Sequence, residues 1–369
     1  MVSHFFNNIA NINKNNLVKK AFFISFIGIV SFSASIAQDS AKVKKVKILP
    51  VPAFGYSPET RTYIGAVTLF TFNLYNDSNT RTSNAKFEIN YTWNKQIIIE
   101  SGWNYFFNNE KYFTKGLLHY SKYPDQYYGI GVNTPETNKV IYNSNRFMAE
   151  AHALKKIKPK LFAGPGLKYV NFWNVGQQEY SLLYPELISN STFGMGYSLL
   201  KDRRNNLLTH LMGSYLNLNA VYNFSKRNYF EMLIDARYYK TWKDKYTIAT
   251  RFVNDLNFGN NIPFYDYANM GGDKFVRGFF YGRYRDKHLS SLQTEFRMPV
   301  IWCFGLAAFG GVSNLYSAEN KLSAATTKFN YGAGLRFLID RKDNTNLRID
   351  YARGSNNNSG FYIAFGESF

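Results

Sequence analysis

Arg277 and Glu295 are the pair in this 369-residue chain whose types and setting suit a specific contact. A guanidinium binds a carboxylate through two parallel hydrogen bonds, and the neighbouring Gly278 permits a close backbone approach. The other chemically versatile residues form no such setting. His4, His119, His152, His210 and His288 have no metal-ligand spacing, and Cys303 is the single cysteine, so neither a zinc site nor an intramolecular disulfide framework can be assembled. No G-x-S-x-G elbow, phosphate-cradling glycine loop or carboxylate dyad stands out, so neither enzymatic activity nor a cofactor is expected. Asp202 with Arg203 and Arg204 reads as an interfacial charge cluster.

The elements that must position Arg277 and Glu295 are strands. Tyr 29, Phe 33 and Trp 5 with Gly 26 favour strands and turns, and a mean hydropathy of −0.32 is too polar for a bundle of membrane helices. Period-2 alternation recurs from about Lys47 to the end. In Asn228 to Lys240 one face reads Phe230, Met232, Ile234, Ala236, Tyr238 and the other Glu231, Leu233, Asp235, Arg237, Tyr239. Segments of about ten to fourteen residues exceed the usual five or six of soluble sandwiches and match the length needed to cross a bilayer at a tilt of about 45°. Sixteen such segments run from 47–57 to 360–369, predicting an all-β, sixteen-stranded antiparallel transmembrane barrel. The long connections 122–143, 174–191, 258–288, 316–328 and 353–359 all follow odd-numbered strands, the asymmetry expected of long outer loops and short periplasmic turns. The connection 258–288, between strands 11 and 12, is long enough to fold inward and plug a lumen that water would otherwise fill. Glu295 shares the parity of Gln293 and Arg297, the lumenal face of strand 12. Arg277 reads equally well as a solvated cation among Lys274, Arg283, Arg285 and Lys287.

The chain ends frame the barrel. Lys14, Lys19 and Lys20, the apolar run Ala21 to Ser33 and Ser35-Ile36-Ala37 have the form of a signal peptide over 1–37, the short run arguing against a membrane anchor. A short periplasmic segment, 38–46, would then precede the barrel, 47–369, in the outer membrane of a Gram-negative-type cell. Phe361, Ile363, Phe365 and the terminal Phe369 share one face of the last strand, which closes against strand 1. Pro50 and Pro52 remove backbone donors from strand 1, so that seam is expected to be weak unless the strand starts late, near Ala53. A weak seam opens sideways or pairs with an incoming strand. The net charge is +19, from 44 Lys and Arg against 25 Asp and Glu, but it is spread along the strands and not gathered on one face, which argues against nucleic acid and in favour of a charged lumen or an anionic membrane.

Several motifs resemble the BamA/TamA family of outer-membrane assembly factors, the bacterial surface antigen family. Pro263-Phe264-Tyr265, Gly271-Gly272 and Val276-Arg277-Gly278-Phe279 are similar to its "PFY…GG…VRGF" run. Gly194 to Asn206, Glu295-Phe296-Arg297-Met298-Pro299, Tyr331 to Phe337 and Arg348-Ile349-Asp350-Tyr351 extend the likeness over about 190–369. The resemblance implies a buried contact of Arg277 in the lumen and a role in inserting or translocating proteins. Gated transport, or anchoring of a periplasmic or surface partner, stand as alternatives. Outer-membrane lipid, lipopolysaccharide, unfolded outer-membrane proteins and a separate periplasmic partner are the partners implied. Two departures stand out. The segment 38–46 leaves no room for the family's periplasmic POTRA modules, and Gly310 stands where the family places an aspartate, which leaves Glu295 as the expected partner of Arg277.

Overall fold

The computed structural model describes residues 46–75, 80–178, 184–204, 211–243, 245–260, 262–340 and 345–369. The expected signal peptide, 1–37, and all but the last residue of the expected periplasmic segment, 38–46, lie outside the described residues.

The wall is built from β1 (Lys47–Ser57), β2 (Arg61–Phe72), β3 (Ser83–Thr92), β4 (Ile97–Phe106), β5 (Tyr112–Tyr127), β6 (Val140–Lys158), β7 (Leu161–Gln177), β8 (Asn190–Asp202), β9 (Gly213–Phe224), β10 (Tyr229–Trp242) and β11 (Tyr246–Phe258). It continues through β14 (His288–Ile301), β15 (Phe304–Tyr316), β16 (Thr327–Asp340), β17 (Thr345–Gly354) and β18 (Ser359–Phe365). Between β11 and β14 the long loop carries its own two-stranded sheet, β12 (Ala268–Met270) and β13 (Tyr284–Asp286). The sixteen wall strands pair antiparallel with their chain neighbours, and β1 meets β18 to close the barrel.

Burial is inverted relative to a soluble protein. Ile64 and Phe329 point outward and are 65% and 59% exposed, while Glu295 and Asp350 point inward and are 0% exposed. An apolar exterior around a polar interior is stable only where hydrocarbon replaces water outside the wall.

Several boundaries differ from the sequence expectation. β5 and β6 run past the expected 111–121 and 144–155, because Pro124 and Asp125, which fall in the expected connection 122–143, pair with Asn143 and Tyr142. An aromatic cluster of Tyr127, Tyr142, Phe172, Phe264 and Tyr265 supports this extension. The connections after β5 and β7 shrink accordingly to 128–139 and 178–189, and 355–358 is a four-residue turn. On the opposite rim 73–82 and 203–212 are as long as 317–326, so connection length separates the rims less cleanly than the sequence suggests.

Candidate functional site

The loop between β11 and β14 lies inside the barrel because its residues alternate between apolar anchors and charges with partners on the wall. Val276 and Phe279 pack with Val132, Ala268, Met270, Tyr284, Leu289 and Leu315 in a fully buried cluster. Gly271 and Gly272 adopt φ of +113° and +90° and fold the loop back, Gly272 N–H donating to the Phe279 carbonyl at 3.0 Å. Gly278, at φ +100°, lies against β17 so closely that a Cβ would sit 2.9 Å from the Arg353 carbonyl carbon. Any other residue there would push the loop off the wall.

This turn delivers Arg277 to two carboxylates. One Nη donates to Glu295 of β14 and the other to Asp350 of β17, and the guanidinium lies 3.4 Å from the centroid of the Phe309 ring. The carboxylates are shared. Glu295 also accepts from Arg297 Nε at 2.6 Å and Arg336 Nη2 at 3.3 Å, and Asp350 from Arg336 Nη1 at 2.5 Å and Arg348 Nη1 at 2.8 Å. Arg336 Nε reaches Glu367 at 2.9 Å, and Arg348 also binds Asp273 of the loop. Four arginines thus face four carboxylates, which satisfies buried charges that would otherwise be very costly.

The same loop reaches both edges of the seam. Gly278 N–H donates to the Tyr362 hydroxyl of β18 at 2.9 Å, and Tyr281 N–H donates to Glu59 Oε1, in the β1–β2 turn, at 2.7 Å. Desolvation raises the Glu59 carboxyl above its ordinary value of 4.5, and nearby Asp273 adds to the shift. Across the seam itself the ladder is short: Tyr56 opposite Ile363 is its one registered pair, whereas β1 and β2 pair without interruption from Lys47–Thr71 to Ser57–Arg61. Aromatic contacts bridge the gap, Phe54 to Phe365 at 5.3 Å and Tyr56 to Phe361 at 5.8 Å between centroids.

The start of the loop has a separate anchor. Tyr265 stacks on Phe172 at 4.2 Å, and Asp266 accepts from the Tyr229 hydroxyl at 2.5 Å and pairs with Lys168 at 3.4 Å. Lys168 also binds Glu231 at 2.5 Å.

Among the residues expected from sequence, Val276, Arg277, Gly278, Phe279, Gly271, Gly272 and Glu295 come together in this loop lock. Pro50 and Pro52 lie inside β1, opposite Thr68 and Ala66, so the strand does not start late. Phe365 sits at the seam. Phe369 does not: β18 ends at Phe365, Gly366 at φ +77° turns the chain inward, and Phe369 packs with Tyr239 and Ala249. Arg297 Nη2 holds the Phe369 oxygen at 2.9 Å, and Ser368 Oγ donates to the Asp273 carbonyl at 2.9 Å. Gly310 is also corrected. It faces outward, and the inward position beside it is Gly311, where the Gln293 amide fills the space of a side chain.

Sequence reasoning gave no site role to Asp350, Arg336 and Arg348, which it quoted only within family-like motifs, and missed Asp273. Asp350 alternates with Arg348 on one face of β17, the parity signal that singled out Glu295 and would have found it too. A Ser198–His152–Glu150 chain was also unforeseen: Ser198 Oγ lies 2.7 Å from His152 Nδ1, and His152 Nε2 lies 2.5 Å from Glu150 Oε1. It has the order of a hydrolase triad, but Ser198 is 1% exposed, which leaves a substrate carbonyl no approach. The chain is a tie from β6 to β8 across Gly166, where a Cβ would lie 2.4 Å from the imidazole.

A closed sixteen-stranded barrel with an apolar exterior, a charged lumen and an arginine-locked inner loop is the architecture of an outer-membrane β-barrel. The chain belongs to the Omp85 superfamily, whose domain matches residues 54–369. Solved structures share the fold. BamA from Haemophilus ducreyi lacking POTRA domains 1–3 aligns with a TM-score of 0.59 at 12% identity, over 88% of this chain and 70% of that one. CdiB from Acinetobacter baumannii gives 0.58 at 13%, over 88% and 60%, and CdiB from Escherichia coli 0.53 at 9%, over 89% and 68%. No curated protein matches the chain.

Proposed function

We propose that this barrel assists the insertion or translocation of proteins at the outer membrane, with the β1–β18 seam as its lateral gate and the Arg277 loop as the latch. No bond is made or broken in this role. The observation that carries it is the combination of a single registered pair at the seam with one loop tied to both of its edges. Unpaired backbone groups on β1 and β18 are a template for a strand of a client, and β-augmentation supplies the driving force. Releasing Gly278 from Tyr362 and Tyr281 from Glu59 would free the edges, while the arginine network keeps the loop from leaving the barrel. Family membership and the fold shared with BamA support the same reading.

A photoreactive residue placed at the outward Phe361 of β18 should capture unfolded outer-membrane proteins in native membranes, and one at Met232 on the far wall should not. Equal capture at both positions contradicts a seam route. Conductance across planar bilayers tests the rival reading of a gated pore, which requires ion flow that rises when the loop is released.

A further inference from the structure

The outward face at one rim of the barrel carries a stripe of lysines that neither the loop lock nor the seam uses. In β6 the inward residues are His152 and Leu154, so Lys155 points out; in β8 they are Ser198, Leu200 and Asp202, so Lys201 points out; in β10 Asp235 and Tyr239 point in and Lys240 out. The same place on three alternate strands is therefore cationic. At the far ends of these strands the outward positions are Ile141, Ser191 and Phe230. The end of β6 adds exposed Lys158, and the adjoining turns add exposed Lys160, Arg203, Lys243 and Lys245. Carboxylates described at this part of the rim are already engaged, Glu110 by Arg81 at 2.6 Å and Asp202 by Arg204 at 2.7 Å. Among the described residues none of the three outward lysines has an acidic partner.

Aromatic rings stand beside the stripe. Tyr112 lies opposite Lys155, Tyr238 is two residues above Lys240, and Trp242 packs on Tyr246 at 5.9 Å. Such rings settle at the boundary between hydrocarbon and headgroups, and a lysine at that level extends its ammonium to the headgroup while its stem stays in the apolar layer.

We infer that Lys155, Lys201 and Lys240 form a binding belt for anionic phospholipid headgroups at the rim that carries Val46 and Phe369. A protein docking end-on would meet the turns, whereas these three side chains project sideways into the bilayer, which selects lipid as the occupant. The belt is independent of what passes through the seam and lies on the wall away from it.

The test uses the full chain reconstituted in bilayers, with quenching of its tryptophan fluorescence by brominated phosphatidylglycerol compared with brominated phosphatidylcholine. The wild type should prefer the anionic lipid at low ionic strength and lose that preference at about 0.5 M salt. Lys155→Gln, Lys201→Gln and Lys240→Gln together should bring the relative affinity to one, each contributing up to about fivefold, and the corresponding arginine variant should keep the preference. No preference in the wild type overturns the inference. So does a preference that survives the triple glutamine variant but disappears on neutralising Lys160 and Lys243, which would place the contact in the turns. Because the salt titration needs no substitution, a triple variant that fails to fold leaves the inference exposed to refutation.

Discussion

Arg277→Ala removes a side chain that ties the loop to β14 and β17 together. Glu295 and Asp350 are 0% exposed, so the charge left behind is not rescued by water. Breaking a buried pair costs about 3 to 5 kcal/mol, but Glu295 retains Arg297 and Arg336, and Asp350 retains Arg336 and Arg348, which places the electrostatic loss near about 3 kcal/mol. Losing the stacking on Phe309 adds about 1 to 2 kcal/mol in a desolvated site. The expected total is about 4 to 5 kcal/mol, read as a shift in urea unfolding of the reconstituted barrel, together with new protease cuts between Gly271 and Gly282. Arg277→Lys should recover only part of this, since one ammonium cannot span carboxylates on two strands separated by β15 and β16. Glu295→Gln should be similarly destabilising, and the double variant should show a coupling above about 1 kcal/mol because the residues share a network. A loss below about 1 kcal/mol for Arg277→Ala, or effects that add within about 0.5 kcal/mol, would refute the lock.

Three further outcomes follow from the same geometry. Asp266→Asn weakens the second anchor at Tyr229 and Lys168 by about 1 to 3 kcal/mol, and protease should then cut on the N-terminal side of Tyr265 while the Arg277 end stays protected. The raised Glu59 carboxyl binds a proton more readily in the folded state than in the unfolded one, so stability should fall as pH rises from about 4.5 through the raised value; a thermal-unfolding series should show this slope in the wild type and lose it in Glu59→Gln. Cysteines introduced on intact cells in a Cys303→Ser background should react with an impermeant maleimide at Glu136 and not at Lys160, and labelling of Lys160 would invert the assigned orientation.

The barrel was legible because its physics is periodic. Strict alternation in β10 and the length of β14 follow from a wall with lipid on one side and charge on the other. What the pattern could not carry was set by contacts distant in sequence. Pro124 and Asp125 have turn chemistry, yet the aromatic cluster formed with Phe172 and Phe264 holds them in strands. Phe369 has the parity of Phe361 and Phe365, but parity lapses after Gly366, whose positive φ ends the strand and sends the tail into the lumen. Arg277 and Glu295 were readable as partners through the motif and strand parity. The parity of Asp350 with Arg348 marks it as lumenal, but its pairing with Arg277, 73 residues away, is made only by closure of the wall, which brings β17 beside the loop tip.

The central claim is lateral opening at the seam, and a reversible disulfide across it is the most direct test. Phe54 and Phe365 lie two residues along from the registered Tyr56–Ile363 pair with their rings 5.3 Å apart, so Phe54→Cys with Phe365→Cys should cross-link on oxidation. In membranes the locked protein should remain a folded barrel and lose insertion or translocation activity, and reductant should restore it. A matched disulfide between β10 and β11, at Met232 and Leu256, should leave activity unchanged. Full activity with the seam closed would contradict the account.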